Sequence, residues 1–157
     1  MVAFLSRDFP FLLTDAMGEN MIYTVLDEQI LLGEAYRCGA HSTQHEHLVV
    51  IFEDDGETGY FYAMDLHQTE QPVVDSLFVY SVQDIEAQSL HEPRKLQIAW
   101  SEDGYKAFLL INGYPHAVFD FSGFVGYNHS KFPPPEFGSM WTHKETTQEL
   151  VDKWLLG

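Results

Sequence analysis

The stretch KLQIAWSEDGYKAFLLINGYPHAVFDF, residues 95–121, decides the fold class. Along KLQIAWS, leucine, isoleucine and tryptophan recur at every second position, which is the period of a β-strand. The turn residues 102–104 separate this strand from the next. Asn112-Gly113 then indicates a type I′ hairpin turn, because both central positions of that turn need a positive φ. Three strands in sequence order, joined by tight turns, predict an antiparallel meander.

Three further strands precede this meander. HLVVIFED (residues 47–54) and TGYFYAMD (58–65) flank a polar turn and predict a hairpin, and VVDSLFVYSV (73–82) has the same β-branched and aromatic character. We expect the aromatic residues of these strands to pack in the core. Several strands are apolar on both faces, so an open single-layer sheet would leave one of those faces in water. A second sheet, a helix or strong curvature of the sheet is therefore needed to cover both sides.

The C-terminal segment predicts a helix over about residues 143–156. Thr142 and Glu145 have the spacing of a capping box, and apolar residues then recur at helical intervals. The preceding stretch KFPPPEFG (131–138) contains three consecutive prolines and predicts an extended surface crossing. We expect Phe137 and Trp141, beside this crossing, to lie at a surface or an interface. Residues 84–93 are polar and predict a loop with a short helical turn.

These elements predict one α+β domain spanning residues 1–157. It consists mainly of antiparallel β-sheet, a meander of hairpins that is strongly curved or two-layered, with the helix at the C-terminal end. At this length a single hydrophobic core is stable without disulfides or metals. The one cysteine, Cys38, excludes an intrachain disulfide, which favours a reducing, cytoplasmic location.

Charge limits the classes of partner. Twenty-four acidic and eight basic residues give a formal net charge of −16. This charge opposes the phosphates of nucleic acids and anionic membranes, and the basic residues form no patch in the sequence. The apolar runs are also too short to span a bilayer. A basic protein partner, by contrast, would be attracted to this surface.

The densest acidic cluster lies in the turn between the first two strands of the sheet. Its acids are mostly consecutive and no glutamate follows at the offset of a calcium loop, so calcium binding is disfavoured. The cluster is then either a solvated hairpin turn, on which folding does not depend, or a contact point for a basic partner. The expected partner-binding residues are the four acids of this turn, with a lesser candidate on the neighbouring turn: Glu53, Asp54, Asp55, Glu57 and Asp103.

A second cluster contains the residue types that bind transition metals. Thiolate and imidazole ligands suit zinc, but the spacing C-x2-H-x3-H-x-H matches no established zinc motif. The residues are therefore either loop side chains near a strand start or an alternative metal site: Cys38, His41, His45 and His47. No P-loop, nucleophile elbow or dinucleotide-binding motif is present, so the leading hypothesis is a protein with no enzymatic activity and no cofactor.

Two long strings resemble a known family. FEDDGETGYFYAMD (52–65) and IAWSEDGYKAFLLINGYPHAVFDF (98–121), together with the FPPP crossing, resemble a family of small bacterial proteins classified as a domain of unknown function. The resemblance covers about residues 45–142. It implies a bacterial, cytosolic protein and transfers no catalytic residues.

In size, acidity and β content the chain is also similar to immunity proteins that neutralise bacterial toxins. We therefore expect an immunity protein that binds a cationic toxin domain of nuclease type through an acidic, aromatic-edged surface. The alternative is a small metal- or ligand-binding protein that uses the cysteine–histidine segment.

Overall fold

The computed structural model describes residues 11–12 and 21–156, which form two mainly antiparallel β-sheets and one C-terminal α-helix. The seven-stranded sheet has the order β1-β2-β7-β8-β9-β10-β11, and the four-stranded sheet has the order β3-β4-β5-β6. The strands of the larger sheet are β1 (Phe11–Leu12), β2 (Ile22–Ile30), β7 (Arg94–Ser101), β8 (Lys106–Ile111), β9 (Tyr114–Asp120), β10 (Val125–Asn128) and β11 (Thr142–Glu145). The strands of the smaller sheet are β3 (Tyr36–His41), β4 (Leu48–Asp54), β5 (Thr58–Asp65) and β6 (Val73–Ser81).

The connections follow the turn signals of the sequence. Strands β4, β5 and β6 pair antiparallel in sequence order, as do β7, β8 and β9. Asn112 and Gly113 have φ values of 51° and 81°, as a type I′ turn requires. Two short 3-10 helices, Val82–Asp84 and Ala87–His91, connect β6 to β7 and therefore join the two sheets. The predicted meander and the loop with short helical turns are confirmed.

The main core lies between the inner faces of the two sheets. Phe52 and Phe61 from the smaller sheet and Trp100 and Phe119 from the larger one are fully buried in one cluster. The Phe61 and Phe119 rings stack with their centroids 5.2 Å apart, so the contact joins the sheets directly. Burial of such large side chains contributes roughly 1.5–3 kcal/mol each. The fold is thus α+β with mainly antiparallel sheets, in its two-layered form.

The C-terminal helix α1 (Gln148–Leu156) covers the outer face of the larger sheet. Trp154 packs edge-to-face on Phe108 at 5.7 Å and on Tyr127 at 5.2 Å. The need to cover both faces of an apolar sheet is met here by a second sheet on one side and a helix on the other. Among the described helices, none has the length and apolar character needed to cross a membrane.

The prediction that the helix begins at about residue 143 was wrong. Residues Thr142–Glu145 form β11, which pairs parallel with β10, and the helix begins only at Gln148. The Thr147 hydroxyl, not that of Thr142, accepts the capping hydrogen bond, from the Leu150 amide at 3.2 Å. Backbone pairing with β10 extends over a register of four residues, which outweighs a local capping box.

The surface position expected for Trp141 was also wrong, since this side chain is only 6% exposed. Its ring contacts Phe119, Phe121 and Phe124 edge-to-face at 5.5 to 5.7 Å. Phe137, in the proline-rich crossing, is fully exposed as predicted. The proline-rich segment thus crosses the surface and ends at an aromatic anchor in the core.

Candidate functional site

Asp54 has a structural position within the acidic turn. It ends β4 and is only 1% exposed. One carboxylate oxygen accepts hydrogen bonds from the Gly33 amide at 2.7 Å and the Tyr80 hydroxyl at 2.6 Å, and the other accepts from the Gly56 amide at 2.7 Å. Burial, followed by the hydrogen bond to Asp54, raises the pKa of Tyr80. Asp54 is therefore not on the surface, and it ties three segments together instead of facing a partner.

The other acids of the turn are accessible. Asp55 and Glu57 are exposed, and Glu53 is half-buried. One oxygen of Asp55 accepts hydrogen bonds from the Thr58 and Glu57 amides, both at 2.9 Å, and these bonds lower the pKa of Asp55. These hydrogen bonds thus favour the ionised carboxylate of Asp55 and fix the orientation of its side chain.

Neighbouring segments add further acids to this end of the smaller sheet. The Val82 amide donates to the Glu57 carbonyl, and the Gly33 amide binds Asp54, so a 3-10 helix and the β2–β3 turn both adjoin the hairpin. These segments carry exposed Glu34 and Asp84. We call the resulting surface the acidic end, which consists of Glu34, Glu53, Asp55, Glu57 and Asp84.

Asp103 lies at the opposite end of the smaller sheet. Its carbonyl oxygen is 3.0 Å from Nε2 of His45, which precedes β4, whereas Asp55 follows β4. A seven-residue strand separates the two turns by roughly 20 Å. Although burial raises the pKa of Asp103, hydrogen bonds from the Ser101 hydroxyl and the Tyr105 amide give a net lowering. The expected partner-binding residues do not form one surface.

The outer face of the smaller sheet carries aromatic side chains that are only half-buried. Tyr60 and Tyr62 stack at 5.9 Å, Phe78 packs edge-to-face on Tyr60 at 5.7 Å, and exposed Phe132 packs on Phe78 at 6.0 Å. Glu53 pairs with Tyr60 in the sheet register, so this surface adjoins the acidic end. We call Tyr60, Tyr62, Phe78 and Phe132 the aromatic face. The expectation that all strand aromatics pack in the core holds for Phe61 but not for its two neighbours.

The structure does not bring the alternative metal ligands together. Cys38 packs against the core between the sheets, and burial raises its pKa to about 11. His41 is exposed, and its Nδ1 lies 2.8 Å from the Glu46 carbonyl. His45 stacks on Tyr105 at 4.1 Å. Cys38 and His41 pair with Phe52 and Val49 of β4 and lie three residues apart, an odd spacing that places them on opposite faces of the sheet.

His47 instead meets two residues that the sequence analysis did not select. His47, Asp65 and His67 each offer a ligand atom, and these atoms all lie within 4.8 Å of one another. The His47 and His67 rings are parallel, with centroids 3.9 Å apart. The β4–β5 register pairs Leu48 with Asp65, which brings the start of one strand beside the end of the next. The sequence alone does not specify this register, so it gave no signal that these three residues lie together.

One histidine–aspartate pair has the composition of a catalytic dyad but is buried. Nε2 of His143 lies 2.8 and 2.9 Å from the two carboxylate oxygens of Asp75, and both side chains are at most 4% exposed. Burial alone would lower the pKa of His143, but the hydrogen bond and the charge of Asp75 raise it overall. Because a substrate cannot reach either group, the pair fastens β11 to β6.

A groove of about 540 Å³ lies between the larger sheet and the helix α1. Its lining includes Glu102, Asp120, Lys106, Lys153 and Trp154. Charges of both signs thus face the same groove, which also contains Ser101, whose hydroxyl donates a hydrogen bond to the Asp103 carboxylate at 2.7 Å.

The fold and these surfaces define an α+β protein in which a helix covers one side of a two-sheet sandwich and the other side carries aromatic and acidic groups. The chain belongs to the bacterial family described as "Uncharacterized protein conserved in bacteria" (DUF2251), whose model matches residues 30–155. An uncharacterized protein of Haemophilus influenzae is 52% identical over 151 residues, which cover 96% of this chain and 92% of that protein. No solved structure matches the chain. The resemblance seen in the sequence is confirmed and extends beyond residues 45–142.

Proposed function

We propose that the protein is a non-enzymatic immunity protein that binds and neutralises a cationic toxin domain of nuclease type in the bacterial cytoplasm. The observation that carries the proposal is that one acid of the acidic end, Glu53, lies directly beside Tyr60 of the aromatic face on the smaller sheet. Glu53 belongs to both surfaces by position, since it lies beside Tyr60 in the sheet. A partner could therefore contact charged and apolar groups together.

Charge complementarity favours a basic partner. The net charge is −16, and the exposed acids of the acidic end come from three separate segments. Of the bases near this end, Arg94 donates to Ser89 and to the Glu92 carbonyl, whereas Arg37 is exposed and pairs with Glu53 in the register of β3 and β4. A nuclease site accepts phosphates, so carboxylates can occupy it. Charge attraction of this kind raises association rates by roughly 10- to 1000-fold at low salt.

The aromatic face supplies the apolar part of the interface. Tyrosine is enriched among the residues that dominate binding energy, because its ring buries a large area while its hydroxyl remains hydrogen-bonded. Tyr60 and Tyr62 are stacked on each other and project from a strand whose opposite side is fully buried. Their positions are thus fixed before binding, which lowers the entropy cost of association.

The proposal is tested first by capture from the native host, with the untagged chain as bait at low and high salt. A basic toxin-like domain that is retained at low salt and released as salt increases supports the proposal. Absence of any basic partner with sub-micromolar affinity contradicts it.

The contribution of the acidic end is then measured with two charge-matched variants. The first is the triple variant Glu53→Gln, Asp55→Asn and Glu57→Gln. The control carries the same charge change on exposed acids elsewhere: Glu102→Gln, Glu145→Gln and Glu149→Gln. We expect calorimetry to show binding weakened by about tenfold or more in the first variant, which is about 1.4 kcal/mol, and by less than about threefold in the control. Equal losses of affinity in the two variants would refute a localised interface.

A further inference from the structure

We propose that His47, Asp65 and His67 form a binding site for a divalent first-row transition metal, at the end of the smaller sheet opposite the acidic end. This site goes beyond the proposed partner binding and does not depend on it. Two imidazoles and one carboxylate suit zinc and its neighbours, whereas calcium and magnesium prefer oxygen ligands alone.

The backbone holds the two segments of the site together. The Leu66 amide donates to the His47 carbonyl at 2.8 Å, which fastens the residues between Asp65 and His67 to the segment before β4. The Asp65 and Gln68 amides are also hydrogen-bonded, so the turn after β5 has a defined shape. The three side chains are therefore close because the strands are paired, and not only because their rotamers happen to meet.

The ligand atoms are available. Within the described part of the chain, the ring nitrogens of His47 and His67 have no hydrogen-bond partner. One oxygen of Asp65 accepts from the His67 amide at 2.9 Å, and its other oxygen is free among the same residues. His47 and Asp65 are half-buried and His67 is exposed, so an ion can enter directly from water.

The distances fit an ion after small rotations. Zinc–nitrogen bonds of 2.0–2.1 Å in a tetrahedron place ligand atoms about 3.4 Å apart. The ligand atoms lie within 4.8 Å of one another, so each must move by about an ångström, which side-chain rotation provides without backbone movement. Residues 41–48 and 64–72 contain no lysine or arginine, so neither segment places a cation beside the site.

The site leaves at least one coordination position open. Three protein ligands are fewer than the four of a closed structural zinc site, so water or a group from another molecule completes the coordination. His45 does not complete it, because its ring stacks on Tyr105 and its Nε2 lies 3.0 Å from the Asp103 carbonyl.

The test uses the untagged, metal-stripped full chain titrated with Zn²⁺ by calorimetry and with Co²⁺ by visible absorption. We expect one ion per chain, and His47→Ala, Asp65→Asn and His67→Ala each to lower the affinity by about tenfold or more. The matched control is His91→Ala, an exposed histidine on a 3-10 helix, which should leave the affinity unchanged. Asp65→Asn retains an oxygen that can accept from the His67 amide, so it tests metal binding with the turn intact.

Either of two results overturns the proposal. The first is an affinity of the wild-type chain weaker than about 0.1 mM, which is no more than scattered surface histidines provide. The second is an equal loss of affinity in His91→Ala and in the three site variants. Circular dichroism of every variant shows whether it is folded, so a lost site can be separated from a lost fold.

Discussion

Asp54→Asn should destabilise the protein strongly, although the residue belongs to an acidic surface turn. Asp54 accepts with both carboxylate oxygens, whereas asparagine has one oxygen and one NH2 group. In either orientation of the asparagine, one backbone amide, that of Gly33 or that of Gly56, loses its acceptor. One unsatisfied donor costs about 1–3 kcal/mol, and loss of the charge weakens the remaining bonds. We expect the free energy of unfolding to decrease by about 3 kcal/mol in total.

That loss corresponds to a decrease in melting temperature of about 6–12 °C for a chain of this length. The matched control is Asp55→Asn, one residue further along. An asparagine oxygen can still accept from the Thr58 and Glu57 amides, and the side chain is exposed, so the change should stay within about 0.5 kcal/mol. Urea and thermal denaturation, followed by the fluorescence of the three buried tryptophans, measure both variants.

A double-mutant cycle with Tyr80→Phe separates the free energy of the Tyr80–Asp54 hydrogen bond from the other effects of each substitution. Tyr80→Phe alone should cost about 1 kcal/mol, because Asp54 retains its two backbone donors. Combined with Asp54→Asn it should cost less than the sum, since the two residues share one bond. Equal melting temperatures for Asp54→Asn and Asp55→Asn would refute the structural role assigned to Asp54.

Three further predictions concern other parts of the fold. Gly104 has a φ of 75°, and a Cβ there would lie 2.6 Å from the Ser42 hydroxyl, so Gly104→Ala should cost about 2–4 kcal/mol in urea denaturation; a neutral effect would contradict the close approach. The pKa of His143 is raised in the folded state, so its contribution to stability is present below the unfolded pKa of about 6.5 and is lost as the pH rises through the folded pKa. Denaturation between pH 5.5 and 8.5 should show this loss, and Asp75→Asn should abolish it. Trp141→Ala should cost about 3–5 kcal/mol because it empties a site among three phenylalanine rings, whereas a surface tryptophan would cost almost nothing in the same assay.

The local pairing of strands could be predicted because its signals are local. Asn112-Gly113 needs a conformation that few other dipeptides adopt, and the positive φ values at both positions confirm it. The start of the helix could not be predicted in the same way. The capping-box pattern of Thr142 and Glu145 is a local signal too, but β10 lies beside these residues only in the folded chain and pairs with them.

Which side chains come together on the surface of the protein depends on information that the sequence does not carry. In Tyr60-Phe61-Tyr62 the strand period requires neighbours to face opposite sides, yet nothing in the pattern says which side a second sheet covers. Likewise, His47 meets Asp65 only in the observed register of β4 and β5. A shift of one residue would place these side chains on different faces. The acidic turn was visible in the sequence, but the burial of Asp54 within it was not.

The two proposed sites occupy opposite ends of one hairpin, and their separation makes a last prediction. The acidic end lies where β4 ends, and the metal ligands lie just before β4 and at the end of β5, so roughly 20 Å of sheet lies between them. The Debye length at physiological ionic strength is about 8 Å, so the charge of a bound ion is screened at that distance. Partner affinity measured with and without Zn²⁺ should therefore agree within about twofold, and Asp65→Asn should leave it unchanged.

A tenfold effect of Zn²⁺ on partner affinity would contradict this independence. It would mean that the partner reaches across the aromatic face and contacts the open coordination position directly. In that case removing the partner's own metal-binding side chains would abolish the zinc effect, while the loss of affinity in the acidic-end variant would persist. The two sites would then act as the two ends of one interface, with Tyr62 between them on β5.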